Sequence, residues 1–202
     1  MQFHGGKNRL AKEIVQICER DRELGEPFWD LCCGSGNMVA AASDRGIRYA
    51  VDIVPSLIAL LRDSTSGKFI PPADLSEETY RHLRDKAKAE PESDDPLLAF
   101  AGFGCSFGGK WYGGYARQKG YNFAAGSGRA LLKKTAKMRN ACIFICDDWY
   151  NCLDRITGIA YLDPEYAGTT GYLAANRLKV ADPAEFWKRA DALCERARSV
   201  FV

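Results

Sequence analysis

Histidine is nearly missing from this chain of 202 residues, and no stretch of it stays apolar for long. The only histidines are His4 and His82, and none of the eight cysteines forms a C-x-x-C pair. A structural zinc site therefore has a poor ligand set, and no metal is expected. Cys18, Cys32, Cys33, Cys105, Cys142, Cys146, Cys152 and Cys194 mostly stand in apolar segments, so they read as reduced core thiols rather than a disulfide framework. No apolar run approaches the roughly 18 residues that a bilayer crossing needs, which argues against a membrane protein. Lys7, Arg9, Lys12 and Glu13 interrupt the first twenty residues, so no signal-peptide pattern is present and a cytoplasmic protein is expected. There is no internal repeat. A net charge of +2 points to no particular partner.

Periodicity supplies the frame. Leu10, Ile14 and Ile17 recur at helical spacing and predict an amphipathic helix over 8–22. Residues 28–31 read as a buried strand, 37–45 as a helix, 48–52 as a second strand and 55–62 as a helix with Pro55 in its first turn. That rhythm predicts an α/β fold with a Rossmann-like, doubly wound, mostly parallel sheet. It breaks at Ser64-Thr65-Ser66-Gly67. A polar helix over 76–89 and an acidic break over 90–96 follow. The rhythm resumes with a strand over 142–146, a short helix over 148–155, a strand over 159–162, a helix over 183–197 capped by Asp182, and a strand over 199–202. Five core strands are expected, with 1–63 and 141–202 as one domain and 64–140 inserted into it.

Two strand ends carry chemistry. Asp30-Leu31-Cys32-Cys33-Gly34-Ser35-Gly36 closes the first strand and opens a helix, and Asp52 closes the second. Glycines there let a ligand approach the backbone, and a carboxylate after the second strand suits ribose hydroxyls. Val39 stands where the dinucleotide fingerprint has its third glycine, which disfavours a nicotinamide dehydrogenase. By themselves these residues also fit a ligand-free turn. Asp163-Pro164-Glu165-Tyr166 follows the fourth strand. An exocyclic base amine is a weak nucleophile because its lone pair is delocalised into the ring. Asp163 and the Pro164 carbonyl can accept its hydrogens, and Tyr166 can stack on an extruded base. As a lone string, it equally fits a turn with a core tyrosine.

The inserted segment holds a hidden asymmetry. Between Gly102 and Asn140 lie eight of the 28 basic residues and none of the 26 acidic ones. Lys110, Arg117, Lys119, Arg129, Lys133, Lys134 and Lys137 are candidates for nucleic-acid phosphates. Trp111 and Tyr112, in a glycine-rich run, are candidates for stacking or wedging. A surface loop whose aromatics complete the core explains the glycines, but not the missing acids.

Phe3-His4-Gly5-Gly6-Lys7, the Asp30–Gly36 turn and Asp163-Pro164-Glu165-Tyr166 occur in one order. In this the chain resembles the Dam-like, alpha-class DNA N-6-adenine methyltransferases, phage-encoded ones included, over essentially its whole length. The resemblance implies a methyltransferase fold with an inserted target-recognition segment, S-adenosylmethionine as cofactor, and double-stranded DNA as partner. It implies that Phe3, Gly5, Gly6 and Lys7 help hold the methionine end of the cofactor, that Asp30, Gly34 and Gly36 line it, and that Asp52 binds its ribose. Asp148 would reach its adenine with Trp149 alongside. Asp163, Pro164 and Tyr166 would carry catalysis, and Tyr172 matches a downstream aromatic. Glu165 departs from the proline usual at that position. The family usually continues past the fifth strand, so either the chain is a fragment or something else covers that sheet edge; an uncovered edge would invite association. Alternatives are a methyltransferase acting on RNA or another amine, and a nucleic-acid-binding remnant with impaired catalysis.

Overall fold

A computed structural model describes residues 1–164 and 183–202. The chain divides into two compact units: Lys7–Ile53 with Asn140–Val202, and Met1–Gly6 with Val54–Arg139. The seams fall at 53/54 and 139/140, so the helix after the second strand groups with the intervening segment.

The first unit is built on a five-stranded, all-parallel sheet of Rossmann-like α/β type. Its strands are β1 (Phe28–Asp30), β2 (Arg48–Asp52), β3 (Cys142–Cys146), β4 (Ile159–Tyr161) and β5 (Ser199–Phe201), in the order β3-β2-β1-β4-β5. Phe28 stands level with Arg48 on one side and Ile159 on the other. Successive residues of β1 and β4 point to opposite faces, as the two-residue period of a strand demands. Phe28, Ile159 and Tyr161 pack with Ala11, Val15, Cys18 and Met38 on one face. Trp29, Ala160 and Leu162 pack with Trp149, Cys152, Ile156 and Leu193 on the other. Both central strands are buried throughout, as expected of parallel strands covered on two sides. The edge strands β3 and β5 remain partly exposed.

Helix α1 spans Ala11–Cys18, shorter than the predicted 8–22, and it turns a partly different face inward. Ala11, Val15 and Cys18 are buried and Ile14 packs against them, while Leu10 and Ile17 are about half exposed. Both sets fit helical spacing; the smaller residues allow closer approach to α2 (Asn37–Ala41). Helix α2 stops four residues early. Ala42 is extended, Glu19 takes the Ser43 N–H at 3.0 Å, and buried Arg48 donates to the carbonyls of Val39 and Ala42.

The second unit is helical: α3 (Pro55–Ser66), α4 (Glu77–Ala89), α5 (Pro96–Ala99) and α6 (Phe123–Thr135). Helix α3 runs through the expected Ser64–Ser66 loop and ends where Gly67 adopts φ +79°. Helix α5 continues into a wholly buried π-helical turn, Phe100–Gly104. Helix α6 was not foreseen. Its buried face is Ala124, Ser127, Gly128, Leu131 and Thr135, a helical period in which Leu131 alone is large and apolar. In the first unit, a 3-10 helix (Trp149–Arg155) precedes β4, and α7 (Pro183–Cys194) precedes β5. The proposed Asp182 cap lies outside the described residues.

Candidate active site at the carboxyl ends of the strands

Chain order reverses at β1, which has β2 on one side and β4 on the other. In open parallel sheets such a reversal opens a crevice beyond the strand carboxyl ends, where ligands bind. Asp30 and the glycine turn end β1, Asp52 ends β2, Asp147-Asp148 follow β3, and Asp163-Pro164 follow β4. Topology thus brings the acids predicted from sequence to one end of the sheet.

The turn is tied to its neighbours by its own backbone. Gly34 and Gly36 adopt φ +49° and +73°, which a side chain would strain. The Gly34 N–H donates to Asp52 Oδ2 at 2.9 Å, and the Cys33 N–H to the Val51 carbonyl at 2.9 Å. Asp30 is buried behind the turn, where its Oδ2 accepts the Val39 N–H at 3.3 Å. That bond ties α2 to the end of β1. Asp148 Oδ1 accepts the Tyr150 N–H at 3.0 Å and so caps the 3-10 helix. Trp149, expected beside the cofactor, is a core residue at 8% exposure.

Lys7 Nζ stands 2.6 Å from Asp163 Oδ2, with both side chains less than a third exposed. The amine expected at the methionine end of the cofactor is engaged with the leading catalytic candidate. Phe3, Gly5 and Gly6 belong to the other unit, where Phe3 packs on Phe103 at 4.5 Å and the Gly6 N–H closes a turn onto the Phe3 carbonyl. Pro164 is partly buried after β4. Glu165, Tyr166 and Tyr172 lie outside the described residues.

Cys32 reports the electrostatics of this end of the sheet. Burial pushes its thiol well above the usual range, and the charges of Asp52, Asp30, Asp163 and Asp148 push it further in the same direction. Sequence reasoning read Cys32 and Cys33 only as core thiols. Cys32 is a free thiol packed against the core, and it also stands in the glycine turn at the acidic end of the sheet. None of the eight cysteines is in a disulfide; Cys146 and Cys194 are exposed, so the core assignment fails for those two.

In the helical unit, the candidate DNA contacts divide. Trp111 and Tyr112 join an aromatic cluster. Trp111 lies 4.9 Å from Phe103, Tyr112 lies 5.2 Å from Tyr80, and the Tyr112 hydroxyl donates to the Leu98 carbonyl. A Cβ on Gly102 would meet the Trp111 ring at 2.6 Å, so that glycine exists for this packing. Arg117 pairs with Glu77. Lys110, Lys119, Arg129, Lys133 and Lys137 are exposed, and Lys134 is half-buried. Bridges pair Ser106 with Tyr115 and Gln118 with Tyr121, making two short loops whose tips carry Lys110 and Lys119. Phe107, which was not singled out from sequence, is 72% exposed on the first of them.

Among the described residues, no helix is long and apolar enough to cross a membrane. Neither the family models nor the curated proteins compared with the chain give a match.

Proposed function

We propose that this chain is an S-adenosylmethionine-dependent methyltransferase that modifies the exocyclic amine of adenine in double-stranded DNA. The observation that carries this reading is the arrangement at the strand ends: Asp30 and Asp52 close β1 and β2, Asp148 and Asp163 follow β3 and β4, and Asp52 holds the glycine turn through the Gly34 N–H. Such a site presents acceptors where a pyrophosphate needs donors, and the Gly34 N–H of the turn is already taken by Asp52, so it suits a nicotinamide dinucleotide poorly. It favours a ligand carrying positive charge beside a nucleoside, which is what a sulfonium cofactor with its α-ammonium group is. Carboxylates are acceptor-only, matching the hydroxyls of a ribose and the amine of a purine. The residues present therefore fit the group that the resemblance implies.

S-adenosylmethionine, when bound, supplies an electrophilic methyl group on sulfur. Asp52 accepts from the ribose while holding the glycine turn through Gly34. Asp163 accepts a hydrogen of the target amine, orients its lone pair, and stabilises the positive charge that develops on nitrogen. The Pro164 carbonyl takes the other hydrogen. Lys7 holds the Asp163 carboxylate in position until the amine arrives. The exposed cations of the helical unit supply phosphate contacts that the acidic site cannot. The test is incubation with methyl-labelled cofactor and duplex DNA, then digestion to nucleosides. Label in N6-methyladenine supports the reading. Label in RNA alone, or none with either polymer, overturns it.

A further inference from the structure

Arg189 is held on three sides. Its Nε donates to Glu185 Oε1 at 2.9 Å, its guanidinium lies 4.4 Å from the Tyr150 ring centroid, and its Nη1 stands 3.8 Å from Asp148 Oδ2. Stacking and a fixed fork make it a rigid cation on α7. Asp148 is correspondingly fixed: Oδ1 caps the Tyr150 N–H while Oδ2 is drawn to the guanidinium. The Asp148 side chain is still 48% exposed, and it stands at the carboxyl end of the sheet, next to Asp147, whose N–H donates to the Asp52 carbonyl at 3.1 Å. A carboxylate held in one orientation accepts from a purine 6-amino group and repels the lone pairs of a 6-oxo group.

We propose that Arg189 is a positioning residue that orients Asp148 to select a 6-aminopurine nucleoside over a 6-oxopurine one. The inference rests on the cofactor reading above. Arg189 has a simpler role open to it, stitching α7 to the 3-10 helix; that role predicts equal effects on every ligand of the site.

The test measures binding of S-adenosylhomocysteine and S-inosylhomocysteine to the full chain by calorimetry, with thermal midpoints as a control on folding. A hydrogen bond to a charged group corresponds to roughly ten-fold in affinity, so the wild-type chain should prefer the adenosyl ligand by about that factor. Arg189→Gln should lose most of this preference through the adenosyl ligand alone, with the inosyl affinity and the midpoint unchanged. Arg189→Lys should fall between, because it keeps the charge without the stacked fork. If both ligands weaken together in Arg189→Gln, or if the preference survives in both variants, the proposal is overturned while the cofactor reading stands. If the wild-type chain binds neither ligand, the cofactor reading falls and this inference with it.

Discussion

On the proposed reading Asp163 serves chemistry and Asp52 serves binding, and single substitutions separate the two. Asp163→Ala should abolish methyl transfer while leaving S-adenosylhomocysteine affinity nearly intact, because Asp163 serves the incoming amine. Asp52→Ala should do the reverse: it removes a charged acceptor and the partner of the Gly34 N–H, so affinity should fall roughly ten-fold or more. Calorimetry beside a methylation assay checks both, and turnover surviving in Asp163→Ala would remove most of the case for amine methylation. Lys7 is ion-paired with Asp163. Their coupling in a double-mutant unfolding cycle should be about 0.5–1 kcal/mol, the upper range for a partly exposed pair. Additive effects would show that the pair contributes nothing to the fold. Phe107 is the residue that the sequence did not flag. Nothing about a phenylalanine in a glycine-rich run tells whether it turns inward like Phe103 or outward, since that depends on loop geometry set by the Ser106–Tyr115 bridge.

At the scale of elements, legibility followed the size of the side chains that mark each period. The five strands were readable because bulky β-branched and aromatic residues cluster at 28–30, 142–146 and 159–161, between turn signals. The strand-end acids were readable for the same reason: once the strands are placed, topology places their carboxyl ends. Helix α1 was found, but of its three marker residues only Ile14 packs on the core, because Leu10 and Ile17 outweigh Ala11 and Cys18 in hydrophobicity while the close approach to α2 selects for smallness. Helix α6 was missed outright. Its buried Ser127 and Gly128 carry no hydrophobic signal, yet a Cβ on Gly128 would meet Pro71 at 2.9 Å, so smallness there is demanded by packing. The edge strand β5 is anchored differently. Arg198, at its start, bonds both oxygens of Glu26 and the Asp21 carbonyl. The Arg198 guanidinium holds the Glu26 carboxyl below its ordinary value of 4.5. A depressed folded pKa means stability that is complete above the unfolded value and is lost as pH falls through the folded one. Thermal midpoints of the wild-type chain should therefore drop below about pH 4.5 partly through this clamp. Glu26→Gln should be less stable at neutral pH and should lose less on acidification. Parallel pH curves for the two proteins would exclude the clamp as an acid-sensitive element.

Both compact units carry charges of both signs, but each has one local concentration of a single sign. The sheet unit concentrates carboxylates at its strand ends, and the segment from Gly102 to Asn140 in the helical unit carries eight cations without an acid. On the proposed reading, strand-end carboxylates that take an amine do not also attract a phosphodiester backbone, so duplex affinity would come from elsewhere and the target base would leave the stack to reach them. Cations that already have a carboxylate partner contribute less to that affinity than those that do not. Arg117 is paired with Glu77, whereas Lys110, Lys119, Arg129 and Lys133 are exposed and have no salt bridge among the described residues. The salt dependence of DNA binding resolves the difference, since each lost phosphate contact lowers the slope of log affinity against log salt by about one. Replacing Lys110, Lys119 and Lys133 with alanine should therefore flatten the slope by about three units for any duplex sequence. Arg117→Ala should change it by distinctly less than one, because binding by that arginine first has to give up Glu77. Equal changes per residue would mean that the Arg117–Glu77 pair opens freely on DNA. No change in the triple variant would mean that this basic face meets solvent alone, and that DNA, if bound, is held by other residues.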